Sequence, residues 1–343
     1  MQTFIPRAPL HENTDRADRA VPITGGRDVK PMDNRAQSRR ISSPNLGVFA
    51  VPANGKKERV EDQTIGLASG RTVGFADYGI PDATAVLWCH GGPGSRLEPA
   101  YLRRVASEAG LRIIGIDRPG YGLSTPQPGR TIAGWVPEAL AVADHLGIGQ
   151  FAAVGTSTGG AYALALAALA SERVLGVVAC CSMTDMRWPE GRATMSGPHV
   201  RAVWEAPGRA AALTAATDAH GEDGSKMRGD IAAVLAPSDL ALFGDPGWMK
   251  EAMAGFPAMF AYGLEGYTDD RLADGAGWVT FDVRSIQCPV TVLHGGSDRM
   301  VDVIHARHTA GLVPGAELAV FDDHGHFSIV TEVVPAISDL LRR

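Results

Sequence analysis

The chain has 343 residues, a net charge of -6 and 45% apolar residues, enough for one large domain or two modest ones with a sizeable core. The acidic balance, with a pI near 5.9, argues against nucleic acid or an anionic membrane surface as a partner. No apolar run reaches the roughly 20 residues that span a bilayer, and Met1–Leu10 lacks the apolar stretch of a secretory signal.

Residues 1–55 are rich in Arg, Asp, Pro and Asn without periodicity, and read as a disordered or loosely attached leader. Its basic cluster (Arg35, Arg39, Arg40) reads as a solvated tail. Two alternating runs, Glu61–Leu67 and Arg71–Tyr78, predict a β-hairpin. Strand-like and helical runs then alternate: strand Ala85–Cys89, helix Pro99–Ala109, strand Arg112–Ile116, helix Thr131–Leu146 and strand Phe151–Val154. Helix Thr158–Ala170 and strand Val174–Cys180 complete this series. A second set runs strand Val290–Leu293, helix Val301–Leu312, strand Glu317–Phe321 and helix Phe327–Leu341. Continuously apolar strands between helices predict a mostly parallel, doubly wound sheet, with ligands at its carboxyl ends.

Between the two sets, Thr184–Ile286 has helical periodicity and holds Trp188, Trp204, Trp248 and Trp278 of the six tryptophans, with six of the ten methionines. An insertion of this kind predicts a helical cap over the carboxyl edge, about residues 185–285, dividing a core of 56–184 and 286–343. Most of its apolar side chains would form the cap's own core, and some would face a cleft. The four cysteines (Cys89, Cys180, Cys181 and Cys288) lie in or beside strand-like runs without metal-ligand spacing. They read as buried thiols of a cytoplasmic protein, none on a turn that would expose it.

Chemistry concentrates where strands meet helices. Gly155-Thr156-Ser157-Thr158-Gly159 joins a strand to a helix. A serine between glycines there is forced onto a sharp bend, and a Cβ at either glycine would clash. The pattern alone recurs by chance in a chain with 41 glycines, so its context must carry the assignment. An activated serine needs a base, an acid that orients the base, and donors for an oxyanion. His90-Gly91-Gly92-Pro93-Gly94 follows another strand and can turn backbone N–H groups inward, with Gly92 the first choice and Gly91 beside it. The amide of Thr158, at a helix start, is the second donor. His326, after Gly325 and before the last helix, is the preferred base over His324. Asp298, after the strand Val290–Leu293, is preferred as the acid, with Asp185 and then Asp302 as rivals. No metal or organic cofactor is called for, and monomer and dimer both stay open.

The order Ser157, Asp298, His326, with the elbow and glycine-rich loop, resembles the α/β-hydrolase fold family. Asp117-Arg118-Pro119-Gly120-Tyr121-Gly122-Leu123-Ser124 is similar to a structural loop of that family. The resemblance covers about residues 58–343 outside the cap and implies a serine hydrolase with a small-molecule substrate, read here as a carboxylic ester. The His-Gly-Gly-Pro-Gly form resembles the branch containing proline iminopeptidases. Thr158 stands where those usually carry tryptophan, which counts against aminopeptidase activity. That alternative would also need a carboxylate for the substrate amine, for which Glu205, Glu251 and Glu265 are candidates. Lactone or carbon–carbon bond hydrolysis, and a ligand receptor without turnover, are the other readings.

Overall fold

Strands whose residues are apolar on both faces form the middle of the molecule in the computed structural model, which describes residues 62–343 apart from 196, 228–230 and 232. The expected leader, residues 1–55, lies outside the described residues. Eight strands make one sheet: β1 (Asp62–Gly66), β2 (Thr72–Tyr78), β3 (Thr84–Cys89), β4 (Leu111–Ile116), β5 (Phe151–Thr156), β6 (Val174–Cys180), β7 (Val290–Gly295) and β8 (Glu317–Phe321). Their order is β1-β2-β4-β3-β5-β6-β7-β8. The hairpin β1–β2 and the pair β2–β4 are antiparallel, and every other pairing is parallel. Strands β4, β5 and β7 are buried along their whole length, as expected of parallel strands covered on both faces, whereas edge strand β1 alternates.

Alternate residues of each strand feed two apolar layers. On one face Leu87, Ile114, Ala153 and Val292 pack with α2 (Val136–His145) and α3 (Gly159–Leu169). On the other, Val86, Ile113, Val154 and Leu293 pack with α1 (Arg103–Glu108) and, near the end of the chain, the helix Val333–Leu340. The five predicted helices are all shorter than expected, and three of them open with a 3-10 turn. Pro99 sits in a 3-10 turn, Glu98–Leu102, ahead of α1, and Pro137 occupies the first turn of α2, where its missing N–H costs nothing. The last predicted helix opens with the 3-10 turn Ser328–Glu332.

Between β6 and β7 come α4 (Pro189–Thr194), α5 (Pro198–Trp204), α6 (Arg209–His220), α7 (Pro237–Phe243), α8 (Pro246–Met259) and α9 (Glu265–Gly275). Four of them begin on proline, the residue best suited to a first helical position. Val203, Ala212, Ala216, Leu264 and Tyr267 give this insertion a small core of its own. Its last residues behave differently: Trp278, Phe281, Val283 and Ile286 join the main core, so the separately packed part ends before residue 285. Two further helices, α10 (Ile304–Leu312) and α11 (Val333–Leu340), close the chain. Among the described residues, no helix is long and apolar enough to cross a membrane.

Candidate active site

Ser157 and Thr158 lie between β5 and α3, Ser157 at φ +51°, a left-handed conformation that side-chain-bearing residues rarely adopt. Packing imposes the bend. A Cβ on Gly155 would lie 2.2 Å from the Gly159 carbonyl oxygen, and one on Gly159 would lie 2.0 Å from the Cys89 oxygen. The Ser157 amide donates to the Cys180 oxygen at 2.9 Å, which pins the bend to β6. Ser157 and His326 line the same cavity of about 450 Å³.

His326 follows β8, and its Nδ1 lies 2.7 Å from Asp298 Oδ2. A carboxylate only accepts, so Nδ1 carries a proton, and in the neutral imidazole Nε2 keeps its lone pair. The other Asp298 oxygen accepts the amides of Met300 and Val301 at 2.8 and 2.9 Å, leaving the carboxylate no freedom to turn. Burial opposes a charged imidazole, but the Asp298 carboxylate outweighs it and raises the His326 pKa above its ordinary value. Burial likewise opposes the Asp298 charge, and His326 overcomes it, so the Asp298 pKa is lowered.

The rival side chains are engaged elsewhere. Asp185 is paired with Arg187 and accepts the Trp278 amide at 3.1 Å. Asp302 is exposed and accepts the Ile304 amide at 2.9 Å, so it precedes α10 instead of lying within it as expected. His324 turns toward Glu332, 3.7 Å away, and packs edge-on against Phe321.

The glycine-rich loop requires one correction. The Gly91 amide donates to Glu98 Oε2 at 2.8 Å, so it cannot also serve an oxyanion. Glu98 accepts the Trp88 indole N–H at 3.0 Å and the Thr156 hydroxyl as well, tying the loop to both neighbouring strands. Gly92 is next along the loop, and a Cβ there would lie 2.7 Å from Thr158 Oγ1. The loop and the start of α3, where the first amides lack intrahelical acceptors, therefore meet beside Ser157.

The family of the alpha/beta hydrolase fold matches residues 84–333, which hold Ser157, Asp298 and the His326 loop together. The chain belongs to the α/β-hydrolase fold family. It is 28% identical over 265 residues to a 2-hydroxymuconate semialdehyde hydrolase from Pseudomonas putida, covering 76% of this chain and 86% of that protein. It is 36% identical over 107 residues to a proline iminopeptidase from Neisseria meningitidis, covering 30% of this chain and 34% of that protein. Among solved structures, the esterase EaEST from Exiguobacterium antarcticum superposes with a TM-score of 0.64 at 19% identity, covering 82% of this chain and all of that one. The last likeness shows the fold alone.

Around the elbow of this hydrolase fold the cavity is mostly apolar. Met249, Ala252, Met253, Phe256 and Met259, spaced as one stripe of α8, line it together with Met227 and Phe243. Cys181 also lines it, on a left-handed turn at φ +43°, and is buried there, as expected of a thiol that no turn exposes. Burial pushes its thiol pKa well up, which leaves it a poor nucleophile beside Ser157. Of the carboxylates considered for binding an amine, Glu205 is exposed and Glu265 pairs with Arg209 at 2.8 Å. Glu251 lines the cavity but pairs with Arg103 at 2.9 Å. Among the described lining residues there is no lysine or arginine.

Among the buried charged groups that escaped the sequence reading are Asp239, Asp270 and Arg271. Asp239 of α7 accepts the amides of His326, Phe327 and Ser328 at 3.2, 3.1 and 2.8 Å. Asp270 and Arg271 of α9 bond to the loops around Ser157 and to the residues that hold them. Such residues look like a solvated helix face, and only the periodicity of burial in the folded chain distinguishes them. One signal was present: Pro237 followed by Asp239 in the first turn marks a helix start whose acid could accept amides.

Proposed function

We propose that the protein is a serine hydrolase that cleaves a neutral carboxylic ester with an apolar acyl or alcohol part. The observation that carries this reading is the 2.7 Å contact of His326 Nδ1 with Asp298 Oδ2, with His326 and Ser157 facing one cavity. As Ser157 Oγ attacks the ester carbonyl, His326 Nε2 takes the hydroxyl proton and Asp298 stabilises the imidazolium that forms. The carbonyl oxygen becomes an oxyanion held by the amides of Gly92 and Thr158. Collapse of the tetrahedral adduct breaks the ester C–O bond, and His326 returns the proton to the departing alkoxide. Water, deprotonated by His326, then attacks the acyl-Ser157 carbonyl and releases the acid and free serine.

The insertion acts as the cap of this site, and its methionine stripe sets the apolar character of the substrate. Engagement of Glu251 by Arg103 argues against a substrate with a free amine. A second reading, an acid-bearing substrate like that named for the Pseudomonas putida relative, draws on similarity over 76% of the chain. The lack of a lysine or arginine among the described lining residues speaks against it, because a carboxylate buried there would find no permanently charged partner.

A panel of p-nitrophenyl esters of graded acyl length, run beside proline and alanine anilides, tests the proposal. Ester turnover should dominate, with kcat/KM rising from acetate to longer chains. Faster anilide turnover would overturn the ester assignment, and a preference for carboxylate-bearing substrates would favour the second reading.

A further inference from the structure

Both loops that flank Ser157 are held by adjacent residues of one helix in the insertion. On one side, Asp270 of α9 is wholly buried and accepts four donors: Arg118 at 2.7 Å, Arg130 at 2.6 Å, Tyr121 at 2.8 Å and Tyr162 at 3.0 Å. The same Arg118 guanidinium donates to the carbonyl oxygens of His90 and Gly91, the latter at 2.7 Å. Fixing the Gly91 carbonyl fixes the plane of the Gly91–Gly92 peptide, and therefore the direction of the Gly92 N–H. On the other side, Arg271 is 4% exposed and donates to Thr158 Oγ1, while its charge is balanced by Asp274 one turn on. Thr158 is itself 1% exposed, so its hydroxyl has no water to turn to.

We propose that α9 is a positioning element for the oxyanion hole, with Asp270 acting through Arg118 on the Gly92 amide and Arg271 acting through Thr158. The inference rests on the serine-hydrolase reading. Neither Asp270 nor Arg271 touches the substrate, since neither lines the cavity. Their effect is confined to where two amides point, and an oxyanion feels that direction more strongly than a ground-state carbonyl does. An amide misplaced by about 1 Å weakens catalysis by up to about 10²-fold.

The test uses the full chain with Thr158→Val, Arg271→Met and Arg271→Lys on one arm and Asp270→Asn on the other. The readouts are ester kinetics and inhibition by an alkyl trifluoromethyl ketone, whose adduct with serine places an oxyanion in the hole. In Thr158→Val and Arg271→Met, kcat should fall about 10- to 100-fold and the inhibition constant should rise by the same factor. KM should stay within about twofold of wild type. Arg271→Lys, which keeps a donor in reach of Thr158, should retain more activity than Arg271→Met. Asp270→Asn strands two buried guanidinium groups and can fail to fold; Thr158→Val removes one hydroxyl and keeps the test decisive. Folded Thr158→Val and Arg271→Met with kcat and inhibition constant within about twofold of wild type would overturn the brace while leaving the hydrolase reading intact. A wild type that turns over no ester and binds no ketone would bring down both.

Discussion

Hydrogen bonds of 2.7–2.9 Å lock the floor of the cavity, where Asp298 grips His326, Glu98 grips Gly91 and Cys180 grips Ser157. The roof is built from Met249, Met253, Phe256 and Met259, side chains with no polar geometry to keep. Chemistry needs atoms held to a fraction of an ångström, and hydrogen bonds supply that. Fitting an apolar group of variable shape needs adaptable contacts, which unbranched methionine supplies. Between the two lie Asp239, Asp270 and Arg271, which the roof's own helices send down into the floor. The insertion therefore lines the cavity and also sends hydrogen bonds to the loops around it.

Substitutions separate these regions by the size and kind of their effect. The largest effect is expected in the floor. Asp298→Asn should lower kcat on the order of 10⁴-fold, because the imidazole loses the partner that sets its tautomer. It should also move the pH profile. His326 must be neutral to act as a base, so kcat/KM rises with pH through the His326 pKa. Asp298 raises that pKa, so the acid limb in wild type should lie above about 6.5, and in Asp298→Asn it should shift to lower pH. A limb that stays in place would assign it to another group.

At the junction, Asp239→Ala removes the acceptor of three consecutive amides and leaves the Ser328 hydroxyl only Ser238. Unfolding in denaturant should show a loss of about 3 kcal/mol, an order-of-magnitude figure for unsatisfied buried donors. A midpoint equal to wild type would show that these contacts add nothing to stability. The smallest effect belongs to the roof. Met253→Ala should change kcat/KM for long-chain esters by about tenfold and for acetate by less than about threefold, since a missing methylene in an apolar pocket is worth about 1–3 kcal/mol. Equal losses across the ester series would place Met253 in the catalytic floor instead.

The same division decides what the amino-acid sequence discloses. Ser157 is legible because steric exclusion at Gly155 and Gly159 leaves a local signature, and the fold class is legible because parallel strands buried on both faces are apolar throughout. Asp298 and His326 are legible because both lie just beyond strand ends, at the sheet edge where ligands bind. The strand end alone favours Gly92 over Gly91, but the engagement of the Gly91 amide was not legible, since it depends on Glu98, which reaches the loop only through the 3-10 turn. That Cys181 lines the cavity was not legible either, because strand alternation does not foretell the left-handed turn after β6. Asp270 and Arg271 were invisible for a deeper reason. A buried ion pair and a solvated one use the same letters, and only tertiary packing distinguishes them.

The central claim is that Ser157 is a nucleophile activated by His326. Intact-mass measurement after reaction with a fluorophosphonate probe tests it most directly. One adduct per chain, mapped to the peptide containing Ser157 and absent in Ser157→Ala, is the predicted result. A folded wild-type protein that remains unmodified, or that carries the adduct equally in Ser157→Ala, would contradict it.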